Sequence, residues 1–510
     1  MRIVPSAMSH ILFSPDTDAN QELRRQVAPS DWKNPTPDGT YNLVVVGAGS
    51  GGLVSAVGAA GLGAKVALVE RHALGGDCLN VGCVPSKALL SAAKTAATVR
   101  RAGAHGVNTA DVKVDFPAMM ERMRRLRARI APNDSAERLR SLGVDVYLGE
   151  GVFTDERTIA VGDRQLRFSK AVIATGARAV VPPLPGLAEA EPLTNESVFS
   201  LTELPRRLAI LGAGPIGCEM AQAFARFGSE VHLFEKRDRI LPKDDAEAAE
   251  VVQHALEEDG VRIHFGAKME AIHREGKSRQ IVSSKNGTSS KHEVDEILVG
   301  MGRAPNVEGL GLEAAGVRYD ARTGVEVDAH LRTSNRRVFA VGDACLKLKF
   351  THTADATARL VIQNALFKGR KRHTDLLVPW CTYTSPELAH VGVSGEEARE
   401  RHGDALQTFT QSFAESDRAI VEGDEAGFAR IHAVKGRIVG ATIVGAHAGE
   451  LISEVSVAMR AGMKLGDLAG VIHPYPTLAE AVRKTGDAYK RTQLTPLVEK
   501  LFHRWLAWTR

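Results

Sequence analysis

Two stretches of the chain repeat one pattern of apolar and small residues. They read LVVVGAGSGGLVSAVGAAGLGAKVALVE (43–70) and LAILGAGPIGCEMAQAFARFGSEVHLFE (208–235). Each has an apolar run typical of a buried strand, a Gly-x-Gly-x-x-Gly turn, an alanine-rich helical stretch and a second apolar run that ends in glutamate. The offset between the copies is a constant 165 residues. The pattern predicts two strand-turn-helix-strand units.

Both units carry what a dinucleotide site requires. The first glycine makes the turn, the second lets a pyrophosphate approach the backbone, the third lets the helix pack on the strand, and the acid accepts hydrogen bonds from a ribose. Glycine-rich turns also occur for packing alone, but here the strand, helix and acid accompany each copy. The predicted nucleotide-binding residues are Gly47, Gly49, Gly52 and Glu70, and Gly212, Gly214, Gly217 and Glu235.

Two dinucleotides in one chain indicate FAD together with a nicotinamide nucleotide, because that pair passes hydride between stacked rings. The carboxylate of Glu235 should bond a free 2′-hydroxyl and repel a 2′-phosphate. We therefore expect NAD(H) rather than NADP(H), although Lys236 and Arg237 follow directly and weaken that preference.

Composition narrows the class of protein. A chain of 510 residues, 44% hydrophobic and 25% charged, exceeds what one core organises and predicts two to four domains. The net charge of +4 is small for this length and gives little reason to expect a nucleic-acid partner. Without an apolar run of about 18 residues or a secretory leader, we expect a soluble, cytoplasmic protein.

The segment GGDCLNVGCVPSK (75–87) places Cys78 and Cys83 just after the first unit, at a loop-to-helix junction. Zinc would need more cysteine or histidine ligands than the segment offers, so no metal site is predicted. A structural disulfide is disfavoured in a reducing compartment. Two inert buried thiols are the simplest alternative to a redox couple.

The segment GGDCLNVGCVPSK resembles the redox-active segment of the class I flavoprotein disulfide reductases, the family of dihydrolipoamide dehydrogenase, glutathione reductase and mercuric reductase. Further motifs of that family follow in order, and the resemblance covers residues 41–490. They are IATGARAVVPPLPG (173–186), GMGRAPN (300–306), RRVFAVGDA (336–344) and VPWCTYTSPELAHVG (378–392).

The resemblance implies a role for each matching residue. Cys83 would lie next to the flavin, Cys78 would be the exposed thiol that attacks the substrate, and Lys87 would sit by the flavin and pair with Glu219. A helix N-terminus and a nearby lysine are expected to lower a thiol pKa. Further cofactor-binding residues implied by the motifs are Gly76, Thr175, Gly176, Gly302, Arg303, Gly342 and Asp343.

The stretch HPYPTLAE (473–480) departs from the family. Tyr475 stands where the relatives have a catalytic histidine, whereas Glu480 matches. A phenol is a poor base near pH 7, and His473, two positions away, is expected to have a packing role. This favours an acceptor that needs no base, such as a metal ion, and resembles the mercuric reductase-like branch. No cysteine pair follows Cys381, although mercuric reductases carry one near the C-terminus.

Other acceptors remain open, among them a small disulfide or a quinone-like compound. Dihydrolipoamide dehydrogenase is the enzymatic alternative. An alternative of another class is a flavin-bearing interaction protein with structural cofactors, docked on a membrane through its last residues. The amphipathic stretch LTPLVEKLFHRWLAWTR (494–510) supports such docking, but packing on the protein itself is the favoured interpretation.

The predicted fold is α/β, with two Rossmann-like dinucleotide-binding domains and an α+β C-terminal dimerisation domain. Homodimerisation would bring Tyr475 and Glu480 to the partner's site. The predicted boundaries are an extension at 1–40, an FAD domain at 41–192 and 310–376, an NAD(P)H domain at 193–309, a dimerisation domain at 377–490 and an amphipathic tail at 491–510.

Overall fold

The structure is a computed structural model that describes residues 12–510. Residues 1–11 of the predicted extension lie outside the described residues. The strands, in chain order, are β1 (Thr40–Val46), β2 (Val66–Glu70), β3 (Val144–Leu148), β4 (Gly151–Asp155), β5 (Thr158–Val161), β6 (Arg164–Ile173), β7 (Ala177–Ala179), β8 (Arg207–Leu211), β9 (Glu230–Glu235), β10 (Arg262–Phe265), β11 (Lys268–Glu275), β12 (Ser278–Lys285), β13 (Thr288–Val294), β14 (Glu296–Val299), β15 (Arg303–Pro305), β16 (Tyr319–Asp320), β17 (Gly324–Val325), β18 (Val338–Ala340), β19 (Trp380–Thr382), β20 (Glu387–Gly392), β21 (Leu406–Ser412), β22 (Phe428–Val434) and β23 (Arg437–Gly445).

The α-helices, in chain order, are α1 (Asp18–Val27), α2 (Ser50–Gly61), α3 (Gly76–Asn80), α4 (Cys83–Arg101), α5 (Phe116–Ile130), α6 (Ala136–Ser141), α7 (Pro215–Phe227), α8 (Ala246–Glu258), α9 (Thr351–Leu366), α10 (Gly395–His402), α11 (Asp417–Glu422), α12 (Ala448–Ala461), α13 (Leu465–Leu468), α14 (Glu480–Thr492) and α15 (Pro496–Trp508). Among residues 12–510, no helix is both long enough and apolar enough to cross a membrane.

The first compact unit comprises residues 12–212, Ala223–Phe234 and Ala267–Leu376. Its main sheet has seven strands in the order β3-β2-β1-β6-β5-β4, with β18 also paired to β6. Strands β3, β2, β1, β6 and β18 run parallel. Leu43, Val44 and Val45 have no exposed surface, as expected for a parallel sheet covered on both faces. The helix α1 adds Leu23 and Val27 to this core.

The parallel strands of this sheet end at one edge, where ligands bind in open α/β sheets. Gly47 follows β1, Thr175 follows β6 and Gly342 follows β18. The motifs that the sequence separates by up to about 300 residues therefore meet at the carboxyl ends of three neighbouring strands.

A second parallel arrangement in this unit has β8 between β9 and β14, with Leu211 paired to Phe234. The antiparallel sheet β11-β12-β13 and the short pairs β7-β15 and β16-β17 complete the unit's strands. Ile281 and Ile297 share one buried apolar cluster there.

The second compact unit comprises Ala213–Gln222, Glu235–Gly266 and Leu377–Arg510. Its sheet is antiparallel in the order β19-β20-β23-β22-β21. Ile452 on α12 and Val482 on α14 pack with Ile431 and Ile443 of the sheet in one buried cluster. The predicted combination of two Rossmann-like units and an α+β C-terminal region is confirmed. The predicted domain boundaries stay a prediction.

Candidate active site

The glycine turn after β1 leaves no room for side chains. Gly47 has a φ of +99°, a left-handed conformation that glycine adopts readily. A Cβ on Gly47 would lie 2.5 Å from the carbonyl oxygen of Ala174, and a Cβ on Gly52 would lie 1.8 Å from the carbonyl oxygen of Gly47. Strand and helix are thus as close as their backbones allow, and the N–H groups that begin α2 are available to an anionic group.

Glu70 at the end of β2 is already oriented by the turn. Its Oε2 accepts a hydrogen bond from the backbone N–H of Ala48 at 2.7 Å, and its Oε1 accepts one from His72 at 2.8 Å. Burial raises the pKa of this carboxyl, and the two backbone donors oppose that rise. The acid is therefore held beside the glycine turn, where a ribose is expected.

The second strand-turn-helix repeat (208–235) has the same geometry, 165 residues further along the chain. Gly212 has a φ of +102°, and the carboxylate of Glu235 accepts backbone hydrogen bonds from Ala213 and Arg237, both at 3.0 Å. A Cβ on Gly214 would meet nothing within 4 Å, so the backbone there is open to close approach. Gly217 lies in the first turn of α7. The sequence repeat is a repeat of hydrogen bonds as well as of residue types.

Other predicted flavin-binding residues lie around the carboxyl ends of β1, β6 and β18. A Cβ on Gly76 would lie 2.5 Å from the Cα of Gly49, so the turn before α3 abuts the first glycine turn. Thr175 donates its hydroxyl to a backbone carbonyl at 2.6 Å, and Gly176 and Gly342 have left-handed φ values of +69° and +61°. The shape fits a dinucleotide laid across β1, β6 and β18.

Arg303 lies among acidic side chains next to these turns. It hydrogen-bonds to Asp77, and its Nε lies 3.6 Å from the carboxylate of Asp343. Burial works to lower the pKa of Arg303, but the charges of Asp77, Asp343 and Glu196 raise it. Burial, with repulsion from Asp77, raises the pKa of Glu196 to about 6. Gly302, with a φ of +116°, places Arg303 here.

The donor set fits FAD. Within the described chain, the buried Nε of Arg303 has no hydrogen-bond partner, and burial raises the pKa of the neighbouring Asp343. An unsatisfied buried donor beside a buried acid is costly unless polar groups of a ligand complete the site. The hydroxyl-rich chain of a flavin dinucleotide supplies such groups.

Cys78 and Cys83 lie on two consecutive helices, α3 and α4, and their side chains are in contact. Cys78 is in α3 and half-buried, whereas Cys83 is the first residue of α4 and exposed. The expectation that Cys78 is the exposed thiol is therefore wrong, because tertiary packing covers part of Cys78 and leaves the start of α4 open. Both residues are present as thiols, joined by a side-chain hydrogen bond. Thr351, at the start of α9, places its hydroxyl 3.2 Å from the sulfur of Cys83. The pair is therefore close enough for a redox couple.

The pKa of Cys78 does not move in the direction expected from the sequence. The hydrogen bond to Cys83 and burial raise it, and the charge of Asp134 adds to the rise, while the bond to Thr351 works against it. Burial and the neighbouring thiol thus both favour the neutral form of Cys78. The expectation of a lowered pKa considered only the helix terminus and a lysine, and neither the thiol–thiol hydrogen bond nor Asp134 is visible in the local sequence.

Lys87 is half-buried on α4, one helical turn beyond Cys83, so the two side chains share a helix face. Glu219, on α7, is buried, and its Oε1 accepts a hydrogen bond from the backbone N–H of Tyr383 at 3.0 Å. Glu219 is thus not an ordinary surface charge. The ion pair between Lys87 and Glu219 stays a prediction.

Tyr475 is exposed, and its hydroxyl donates to the carboxylate of Asp417 at 2.6 Å. That hydrogen bond raises the pKa of the phenol, which makes it still less suited to exchange protons near pH 7. His473 has its Nε2 2.8 Å from Glu454, in keeping with a structural role. The carboxylate of Glu480 lies 3.3 Å from Arg483.

Sequence reasoning did not identify two residues beside the thiol pair, Thr351 and Asp134, or Glu196 beside Asp77 and Arg303. Thr351 is 268 positions from Cys83 along the chain. Asp134 lies in a short 3-10 helix after α5, and Glu196 lies in a loop before β8. No local pattern marks a lone threonine or acid of this kind.

Family models match most of the described chain. Residues 41–358 match the pyridine nucleotide-disulphide oxidoreductase model, and residues 378–485 match the dimerisation domain of the same family. The tail helix α15 lies beyond both matches.

Individual relatives agree with the family models. A mercuric reductase of Staphylococcus aureus is 33% identical over 88% of this chain and 82% of its own length. A dihydrolipoyl dehydrogenase of Thermus scotoductus is 34% identical over 88% of this chain and 97% of its own. The solved Cu(II) complex of the HOCl-induced flavoprotein disulfide reductase RclA from Escherichia coli superposes with a TM-score of 0.79 at 29% identity, over 88% of this chain and 100% of that one.

Three findings lead to one conclusion. They are the two glycine turns with their acids (here called nucleotide cradles), the thiol pair at the edge of the first cradle, and the matches to this family. The chain belongs to the pyridine nucleotide-disulphide oxidoreductase family, and it is an FAD-dependent oxidoreductase that uses a pyridine nucleotide.

Proposed function

We propose that the protein reduces a soft metal ion with electrons from NADH, through FAD and the thiol pair Cys78 and Cys83. The observation that carries the proposal is the contact between the two sulfurs at the edge of a flavin cradle, without a usable base at position 475. Relatives named mercuric reductase and the Cu(II) complex of RclA support a metal acceptor. Soft cations prefer thiolate ligands.

Each sulfur would have its own part. FAD, when bound, accepts hydride from the nicotinamide and passes two electrons towards the sulfurs. Cys83 would lie on the flavin side of the pair and exchange electrons with the flavin, and Cys78 would meet the acceptor. A cation that binds both sulfurs displaces the proton held on Cys78, so metal capture should strengthen as pH rises.

The lack of an imidazole at position 475 supports a metal acceptor over a disulfide acceptor. Thiol–disulfide exchange with lipoamide or glutathione needs a group that moves protons, and Tyr475 holds its proton against Asp417. Reduction of a bound cation needs no such group. Dihydrolipoamide oxidation is the second candidate, because a dihydrolipoyl dehydrogenase is among the similar proteins.

The preference for NADH follows from Glu235. Its carboxylate is fixed beside the second glycine turn by two backbone hydrogen bonds, and a 2′-phosphate would meet that charge directly. We further propose that the protein is cytoplasmic and forms a homodimer. The family's dimerisation domain in the chain supports the homodimer. Tyr475 and Glu480 would then line the partner's site.

The test is an acceptor screen with purified protein and both nicotinamide nucleotides. Mercuric and cupric ions, lipoamide, glutathione disulfide and a quinone are compared in wild type, Cys78→Ser and Cys83→Ser. We expect metal-ion reduction that both substitutions abolish, with quinone reduction retained as the control for flavin loading. Faster turnover of lipoamide than of any metal ion would favour the second candidate. Unchanged turnover of every acceptor in Cys78→Ser would refute the role of the thiol pair.

A further inference from the structure

The helix α15 contributes nothing to the core of the chain. None of its residues is buried, and Leu497, Trp505 and Trp508 keep 79%, 60% and 78% of their surface exposed. The sequence favoured packing of this stretch against the protein itself, and the structure contradicts that expectation. An amphipathic pattern shows that one face is apolar without showing what covers it.

The apolar residues of α15 fill half of its circumference. At about 100° per residue, seven of them fall within an arc of about 180°, and polar residues occupy the opposite arc. The apolar arc comprises Leu497, Val498, Leu501, Phe502, Trp505, Leu506 and Trp508, and the polar arc comprises Glu499, Lys500, His503 and Arg504. The rings of Trp505 and Trp508 lie side by side at 5.5 Å.

The width of this face distinguishes between occupants. One partner helix covers a narrow seam, which would leave Phe502 and Leu506 in water. A flat apolar phase covers the whole arc, and tryptophan is enriched where such a phase meets water. At about 1.5 Å per residue the helix is roughly 20 Å long, which is too short to cross a bilayer.

Charge concentrates in the same region. Residues 490–510 contain five basic side chains (Lys490, Arg491, Lys500, Arg504 and Arg510) and one acidic side chain, Glu499, a net charge of +4. The whole chain also has a net charge of +4, so the residues before 490 are neutral on balance. Arg504 borders one edge of the apolar arc and Lys500 lies about 40° beyond it on the same side, where both would meet the headgroups, whereas Glu499 borders the other edge.

We propose that α15, with the basic residues before it, docks the protein on the surface of a membrane that contains anionic lipid. The apolar arc would lie in the plane of the headgroups, and Lys500 and Arg504 would bind their negative charges. The docking does not depend on which acceptor the enzyme reduces.

The test uses the full-length, FAD-loaded protein and vesicles of phosphatidylcholine with or without phosphatidylglycerol. We expect co-sedimentation with the anionic vesicles, a blue shift of tryptophan fluorescence, and weaker binding at high salt. The paired substitution Leu501→Glu and Trp505→Glu should lower the partition coefficient about 100-fold or more. The matched pair His503→Glu and Ala507→Glu adds the same charge on the polar arc and should lower it far less.

Two results would overturn the proposal. Equal loss of binding in both pairs would show that the apolar arc does not enter the membrane. Absence of binding to anionic vesicles, with an oligomer that dissociates in Leu501→Glu and Trp505→Glu, would show that a second copy covers the helix. Quinone reduction and FAD content serve as folding controls, because none of these residues belongs to the nucleotide cradles or the thiol pair.

Discussion

Replacement of Gly52 by alanine tests whether the first glycine turn is the flavin cradle. The new Cβ would lie 1.8 Å from the carbonyl oxygen of Gly47, whereas ordinary contacts begin at about 3.4 Å. The start of α2 must then move by roughly 1.6 Å away from β1, because the obstacle is backbone and cannot rotate away. Overpacking of this kind costs about 3 kcal/mol.

The assay compares FAD content, from the flavin-to-protein absorbance ratio, and the thermal unfolding midpoint. For Gly52→Ala we expect FAD content to fall several-fold and the midpoint to fall by about 6–12 °C. Gly61→Ala, at the end of the same helix, is the matched control, since its Cβ would meet nothing within 4 Å. We expect it to raise stability by about 0.5–1 kcal/mol and to leave FAD content unchanged.

Normal FAD content and a normal midpoint in Gly52→Ala would refute the reasoning. Such a result would mean that the strand and helix can separate without cost and that the flavin does not depend on their contact. Equal losses in Gly52→Ala and Gly61→Ala would show a general effect of alanine in α2 rather than a cradle.

Four further substitutions test other parts of the site. Cys83→Ser should lower metal-ion reduction by at least about 100-fold, and retained activity would remove this thiol from the electron path. The pKa of Glu196 is raised to about 6, so its ionised form lowers the free energy of unfolding above that pH. This destabilisation disappears as the pH falls and the carboxyl becomes protonated. Glu196→Gln should therefore raise the free energy of unfolding by about 2 kcal/mol near neutral pH and by nothing near pH 4, in denaturant titrations. Glu235→Ser should shift the ratio of kcat/KM for NADH over NADPH at least about tenfold towards NADPH, and a constant ratio would contradict its role. Tyr475→His should raise lipoamide turnover at least about tenfold if a missing base limits it, and no gain would exclude that explanation.

The sequence was sufficient for the architecture and for part of the site. The repeat at an offset of 165 residues predicted two cradles because glycines and a terminal acid have backbone roles that do not depend on distant residues. The Cys78 and Cys83 segment was identified by resemblance alone. Their contact with Thr351 and the influence of Asp134 come from tertiary packing, which local spacing does not encode.

The same limit explains the three expectations that the structure contradicts. The resemblance indicated an exposed Cys78, but Cys83 is the exposed thiol of the pair. A helix terminus and a lysine indicated a lowered thiol pKa, but the hydrogen bond between the sulfurs has the larger effect on Cys78. The amphipathic pattern of α15 predicted an apolar face correctly, and the partner of that face lies outside the chain's own core.

The paired backbone hydrogen bonds of Glu70 and Glu235 have a consequence for cofactor recognition. Each carboxylate oxygen has two lone pairs, and one backbone N–H uses one of them. The remaining lone pairs are aimed before any nucleotide arrives, so binding freezes no rotamer of the acid and sacrifices little entropy. An aspartate is shorter by one methylene, so it would lose hydrogen bonds either to the backbone N–H groups or to the ribose. Recognition of a ribose by either predicted acid would thus need no rearrangement of its side chain.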